Sequence, residues 1–299
     1  MAALWWVGFM SLIALLAPLL ANRHPILEKT ESGWHSPAFS VDPGRDLPAR
    51  TVTFALRAPI PHSPDWIRAG RRFHPPDRLN YLGTDELGRD VLARMIHGAR
   101  VSLLVGLMAA AIALLVGSTL GAIAGYYGSA ADWIVSRLIE VVLCFPLLFL
   151  VLGIVAFFKP SLYTIIIALG LTSWTSEARF VRGEFLRIRE LEFAHAARAS
   201  GAGDARIIFR HLLPNALAPV LVSASFGVAY AVLTESSLSF LGFGVALPTA
   251  SWGSILAAAQ QNLEAWWLSL FPGLAIFTTV AGFNVVGDRF REALDPRSE

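Results

Sequence analysis

The chain has 299 residues, 55% hydrophobic and only 15% charged, with a mean hydropathy of +0.57. That balance excludes an ordinary soluble domain and predicts a membrane protein in contact with lipid. The net charge is +2, carried by 22 arginines that cluster between apolar runs and by two lysines, Lys29 and Lys159, so no continuous basic surface for nucleic acid follows. The single cysteine, Cys144, allows neither a disulfide framework nor a Cys-based metal site.

In chain order, residues 1–22, 101–131, 141–158, 160–176, 211–234 and 265–287 carry no charged side chain. About 20 apolar residues cross a bilayer, so the simplest count is six spans in an all-α integral membrane protein. Five or seven remain open, because 160–176 is short and the apolar stretch 236–263 is broken by Gly242, Gly244, Pro248 and Gly253. The first span, 1–21, is expected to be retained. Cleavage is the alternative, although the stretch lacks the positive start of a signal peptide.

Residues 22–97 form the next segment. Nine of the 17 prolines fall between 22 and 80, which predicts an extended, polyproline-like outer loop, with a docking platform as the alternative. Within it, GTDELGRDVLARMIH at 83–97 predicts an amphipathic entry helix capped by Thr84 or Asp85, with Leu87, Val91 and Met95 at four-residue intervals.

The membrane-embedded core is assigned to 98–290, followed by a tail at 291–299. Gly117, Gly121 and Gly125 place a small residue on one helix face at every fourth position, which lets another helix approach closely. Glu140 stands within a turn of Arg137 and is read as half of a neutralising pair. Glu235 follows an uncharged run with no cation within a turn, so it is read either as a pathway residue or as a carboxylate solvated at the outer interface.

The charged stretch 182–214 reads as helix, glycine break, helix. Glu184 to Ala199 can form one helix, Gly201 and Gly203 permit a sharp turn, and Asp204 can cap a second helix that ends before Pro214. Seven arginines lie at 179, 182, 187, 189, 198, 206 and 210, whereas 236–263 has neither Lys nor Arg. The positive-inside rule therefore puts this hairpin in the cytoplasm, and six spans put both termini there as well. Arg289, Arg291 and Arg297 agree. The eleven Lys/Arg of 22–97 do not overturn this, since long loops translocate largely regardless of charge.

No catalytic motif is present. Neither lysine follows a glycine, so there is no phosphate-gripping loop, and any ATP use must come from another subunit. There is no H-E-x-x-H helix and no G-x-S-x-G elbow. The histidines are dispersed, His62 and His74 reading as loop residues, and no metal or cofactor is expected.

The hairpin's His195-Ala196-Ala197, Gly201 four positions on, and Leu213-Pro214 resemble the cytoplasmic signature of ABC importer permeases, E-A-A, three residues, G, nine residues, I-x-L-P. His195 stands in place of the signature Glu, and His211 in place of the Ile. YLGTDELGRDVLARMIHGARVSLLVG, RIIFRHLLPNALAP, ESSLSFLGFG and AWWLSLFPGLAIFTTVAGFNVVGDRFREALDP look like the second permease of dipeptide, oligopeptide and nickel importers, over about 81–297. ANRHPILEKTESGWHSPAF is also similar to the Yej-type branch, which imports peptides and peptide antibiotics such as microcin C. The resemblance implies a type I permease fold in the bacterial inner membrane, a heterodimer with a homologous permease, two cytoplasmic ATPase subunits and an external solute-binding protein. It further implies that the hairpin is a coupling helix, with Glu192, His195, Ala196, Ala197, Arg198, Gly201, Asp204, Arg206, His211 and Pro214 meeting the ATPase. Glu192, one turn before His195, is expected to take over the signature Glu's pairing with an ATPase cation. A nickel permease, a secondary transporter or channel, and a membrane-anchored enzyme are the alternatives.

Overall fold

The structure, a computed structural model, describes residues 2–31, 33–40 and 52–294. Arg297 and most of the 291–299 tail lie outside the described residues. The elements run α1 (Ala2–Leu15), α2 (Ala17–Leu20), β1 (Leu27–Thr30), β2 (Gly33–His35), α3 (Pro37–Ser40), β3 (Val52–Leu56), α4 (Val91–Tyr127), α5 (Ser129–Leu143), α6 (Leu147–Phe158) and α7 (Leu162–Ile188). They continue with α8 (Glu192–Ala199), α9 (Asp204–Arg206), a π-helical turn (Ile207–Leu212), α10 (Leu213–Phe240), α11 (Trp252–Ala258), a 3₁₀ turn (Ala259–Gln261) and α12 (Trp267–Leu294).

Among the described residues, three helices are long and apolar enough to cross a membrane: Val91–Tyr127, Val220–Phe240 and Trp267–Ala293. α5 and α6 make a fourth if the pair, bent by 82°, counts as one crossing. The charge-free run 141–158 is therefore not one straight helix. It breaks at Cys144 to Pro146, where Pro146 disfavours helical backbone in the residue before it. α7 has 27 residues, but its apolar half ends at Glu177. α1 has only 14 residues and leads into α2 across Leu16, whose N–H still donates to Leu12 O at 2.9 Å.

The chain divides into two compact units, one of residues 1–105, 160–162 and 232–279, the other of 106–159, 163–231 and 280–299. In the first unit the proline-rich segment is not the extended loop predicted from its composition. β1 pairs antiparallel with β2 and β3 in the order β2-β1-β3, opposing Lys29 to both Trp34 and Phe54. Those two rings meet edge to face at 6.1 Å, so cross-strand aromatic contact helps hold a short sheet that the prolines flank. His62 hydrogen-bonds Leu79 O at 2.8 Å and stacks on Trp66.

The predicted entry helix also begins later than expected, at Val91, and it is continuous with the second span in the 37-residue α4. Asp85 does not cap it. Its Oδ1 accepts from the N–H groups of Leu87 and Arg89, both at 2.9 Å, folding 85–89 into a turn completed by Gly88 at φ +80°. The Asp85 carboxylate is buried against Arg89 Nε at 2.7 Å and Arg94 Nε at 3.3 Å. The N–H of Ala93 instead finds Asp90 Oδ1 at 2.7 Å. This turn packs beside α11 and α12: Trp267 Nε1 donates to Thr84 O and Trp252 Nε1 to Met95 O, both at 3.1 Å, around a core of Val91, Ile255, Ala258 and Leu268.

The second unit is helix on helix. The glycine stripe of α4 lies against α7 of the same chain. A Cβ on Gly117 would sit 2.5 Å from Glu177 Cβ, one on Gly121 2.5 Å from Ala178 O, and one on Gly125 2.5 Å from Phe185 Cβ. Such close approach is how helices associate where lipid supplies no hydrophobic drive.

Candidate functional site

The 182–214 region forms a hairpin, but not from the two helices predicted. α7 ends at Ile188, and Arg189 to Leu191 turn the chain before α8 starts at Glu192. The cause is tertiary: Ile188 and Ala194 are both buried in one cluster with Phe185, Ile207, Leu212 and Ala216, and the turn lets both segments reach it. Arg189 Nη1 donates to Gly125 O at 2.9 Å, drawing the turn against α4.

At the end of α8, Gly201 has φ +76°. Its N–H meets Arg198 O at 3.0 Å and the Ala202 N–H meets Ala197 O at 3.2 Å, the paired bonds of a Schellman stop. Gly203, by contrast, has an ordinary φ of −68°. Asp204 does not cap the second helix with its side chain; its Oδ1 accepts from the Tyr126 hydroxyl at 2.7 Å. Nor does that helix stop before Pro214. α9 passes through the π-helical turn directly into α10, which continues to Phe240. The wider turn lies immediately before a residue that has no N–H and crowds the carbonyl four positions earlier, and this accommodates the proline without ending the helix.

On this hairpin Glu192, His195, Ala196, Arg198, Gly201, Asp204, Arg206 and Pro214 are exposed, His211 and Ala197 half-buried. Ala194 faces inward and is fully buried, so its small size serves the chain's own packing. Among the described residues neither Glu192 nor Arg206 has an ion-pair partner, and His195 Nε2 lies 3.9 Å from Glu190 Oε2. Arg198 sits over the Tyr126 ring at 5.5 Å. Two exposed aromatics, Phe193 and Phe209, stand among these charges. Reasoning from apolar pattern had no means of separating them from buried ones.

The two acids singled out in the sequence part company. Arg137 donates to Glu140, both more than half exposed. Glu235 is fully enclosed in the first unit, where Ser239 donates to Oε1 at 2.7 Å and Ser102 and Ser236 reach Oε2 at 3.2 and 3.4 Å. The second unit instead contains a cavity of about 430 Å³ bounded by α4, the α5–α6 bend, α7 and α10, and the acid lining it is Glu177. Sequence reasoning used Glu177 only as the end of an uncharged run; its place at i+4 from Ser173 and i+5 from Thr172 was the available signal.

The family of binding-protein-dependent transport system inner membrane components matches residues 117–299, which include the hairpin and all of α7 and α10. The chain belongs to this permease family. It is 41% identical over 249 residues to the dipeptide transport system permease protein DppC of Alkalihalophilus pseudofirmus, covering 82% of each chain. It is 45% identical over 219 residues to the oligopeptide transport system permease protein OppC of Escherichia coli, covering 73% of this chain and 72% of that one. Its fold is similar to a chain of the MetNI methionine ABC transporter in inward-facing conformations, with a TM-score of 0.56 at 20% identity, over 68% of this permease and 97% of that chain. In this permease most of the signature residues are exposed on a hairpin whose inner face packs into the chain's own core.

Proposed function

We propose that the chain is the permease subunit of an ATP-driven importer of peptides or peptide-like compounds, lining half of the pathway. The observation that carries this reading is the 40–45% identity to proteins named as dipeptide and oligopeptide permeases over about three quarters of the chain. The partners are a second, homologous permease, two cytoplasmic ATPase subunits and an external solute-binding protein; the chain itself hydrolyses nothing. The chain crosses the inner membrane six times with both termini in the cytoplasm. α1 with α2, α4, the α5–α6 pair, α7, α10 and α12 supply the crossings, and the proline-rich segment with its sheet lies outside. The hairpin docks in a cleft of an ATPase, where the unpaired charges Glu192 and Arg206 set register and the exposed Phe193 and Phe209 supply apolar contact.

Deletion of the gene is expected to abolish uptake of a toxic peptide, and restoration of the chain to recover it. Unchanged peptide uptake with lost nickel uptake would overturn the cargo assignment. Ion-driven flux through the purified chain alone would overturn the ATP-driven reading. For topology, thiols introduced by A69C and S200C, both at exposed positions, in a C144S background are expected to label from opposite sides of the membrane.

A further inference from the structure

Glu177 lies on α7 in the second unit and is only 6% exposed, yet it lines an open cavity of about 430 Å³. Its recorded hydrogen-bond partner is a neutral hydroxyl, Ser223 on α10, which donates to Oε2. Among the described residues no arginine, lysine or histidine pairs with it, although Arg179 and Arg182 follow within five positions on the same helix. Those arginines point elsewhere: Arg182 donates through Nη2 to Asp132 Oδ2 at 2.7 Å, and Arg179 is exposed. The surrounding wall mixes hydroxyls with apolar surface, Thr172, Ser173 and Ser176 facing Phe226 and Tyr230.

A carboxylate at membrane depth is costly without a cation, and such groups face a pathway or cavity where a partner can reach them. Here the chain provides the carboxylate, a cavity with room for a small ligand, and no internal cation. We infer that Glu177 is a way-station for the ammonium group of a peptide crossing the permease, with the neighbouring hydroxyls accepting its remaining N–H bonds and the aromatic wall meeting the apolar part. This rests on the peptide-importer reading and adds to it the residue that meets the cargo's positive end. A purely structural Glu177, holding α7 to α10 through Ser223, is the competing account.

The two accounts separate in the assembled transporter carrying C144S and S173C, whose introduced thiol stands one turn before Glu177 in the same cavity. The measured quantity is the rate of modification by trimethylammonium-ethyl methanethiosulfonate divided by that of the sulfonatoethyl reagent. E177Q, which keeps an acceptor for Ser223, is expected to lower this ratio about tenfold. S223A, which keeps the charge but removes the interhelical bond, is expected to change it less than about twofold. Uptake of trialanine in the C144S background is expected to fall at least about fivefold in E177Q, at equal amounts of assembled complex. An unchanged reagent ratio or unchanged trialanine uptake in E177Q overturns the inference. Absence of trialanine uptake by the parent transporter, measured first, overturns the peptide reading itself and is thereby told apart from failure of the Glu177 site.

Discussion

The Tyr126 hydroxyl donates to Asp204 Oδ1 at 2.7 Å, tying the C-terminal end of α4 to the start of the hairpin's second helix, 78 residues further along the chain. Arg198 from α8 covers the same tyrosine ring, so one α4 side chain touches both arms of the hairpin that exposes Glu192 and Arg206. Removing this hydrogen bond with Tyr126→Phe is expected to lower cargo-stimulated ATP hydrolysis about two- to fivefold, equivalent to about 0.4–1 kcal/mol, while leaving the ring stacked and the complex assembled. ATPase assays on the purified transporter with and without loaded binding protein check this; unaltered stimulation would remove Tyr126 from the coupling path.

The two hairpin glycines are expected to behave differently. Gly201 holds φ +76°, where a Cβ meets its own backbone, and Gly201→Ala costs about 1–2 kcal/mol at the helix stop although nothing lies within 4 Å of that Cβ. Gly203 has φ −68° and equal space, so Gly203→Ala is tolerated. Co-purification with the ATPase is expected to weaken in the first variant only. Equal loss in both would mean that flexibility of the turn, rather than its left-handed geometry, matters.

At Gly121 a new Cβ meets Ala178 O at 2.5 Å and Val181 Cβ at 2.9 Å, both on α7. Backbone does not yield as a side chain does, so Gly121→Val is expected to push α4 off α7 and cost about 1–3 kcal/mol or more. Thermal unfolding of the purified complex in detergent measures the loss. Gly153→Val serves as the control, since nothing lies within 4 Å of a Cβ there.

Glu235 accepts hydrogen bonds from Ser102, Ser236 and Ser239 in a site closed to solvent. Glu235→Ala leaves those hydroxyls without their shared acceptor and is expected to destabilise the permease by about 1–3 kcal/mol per buried donor left unpaired. Transport per assembled complex is expected to stay within about twofold of the parent, because the carboxylate is fully enclosed within its own chain. A large fall in uptake at undiminished thermal stability would restore it to the pathway.

Membrane residence, the apolar runs and the hairpin's existence were legible in the residue order, because lipid demands long uncharged stretches and cannot take seven arginines. The family signature was legible as well, since His195, Ala196, Ala197, Gly201 and Pro214 keep its spacing. Other features required the folded chain. Nothing local in Arg189, Glu190 and Leu191 announces a break; the burial of Ile188 and Ala194 in one cluster imposes it. Pro214 looks like a stop until the π-helical turn ahead of it absorbs the missing N–H. The prolines of 22–80 hid a sheet in which β1 pairs with a strand about 25 residues further on, as Lys29 against Phe54 shows. Glu177 and Glu235 differ little in their flanking residues, each bordering an uncharged run. Ser236 and Ser239 stand beside Glu235 on its own helix and were readable in the sequence, but only tertiary packing brings Ser102 of α4 to close that site and sets Ser223 of α10 and an open cavity beside Glu177, because the partners that differ between them come from neighbouring helices.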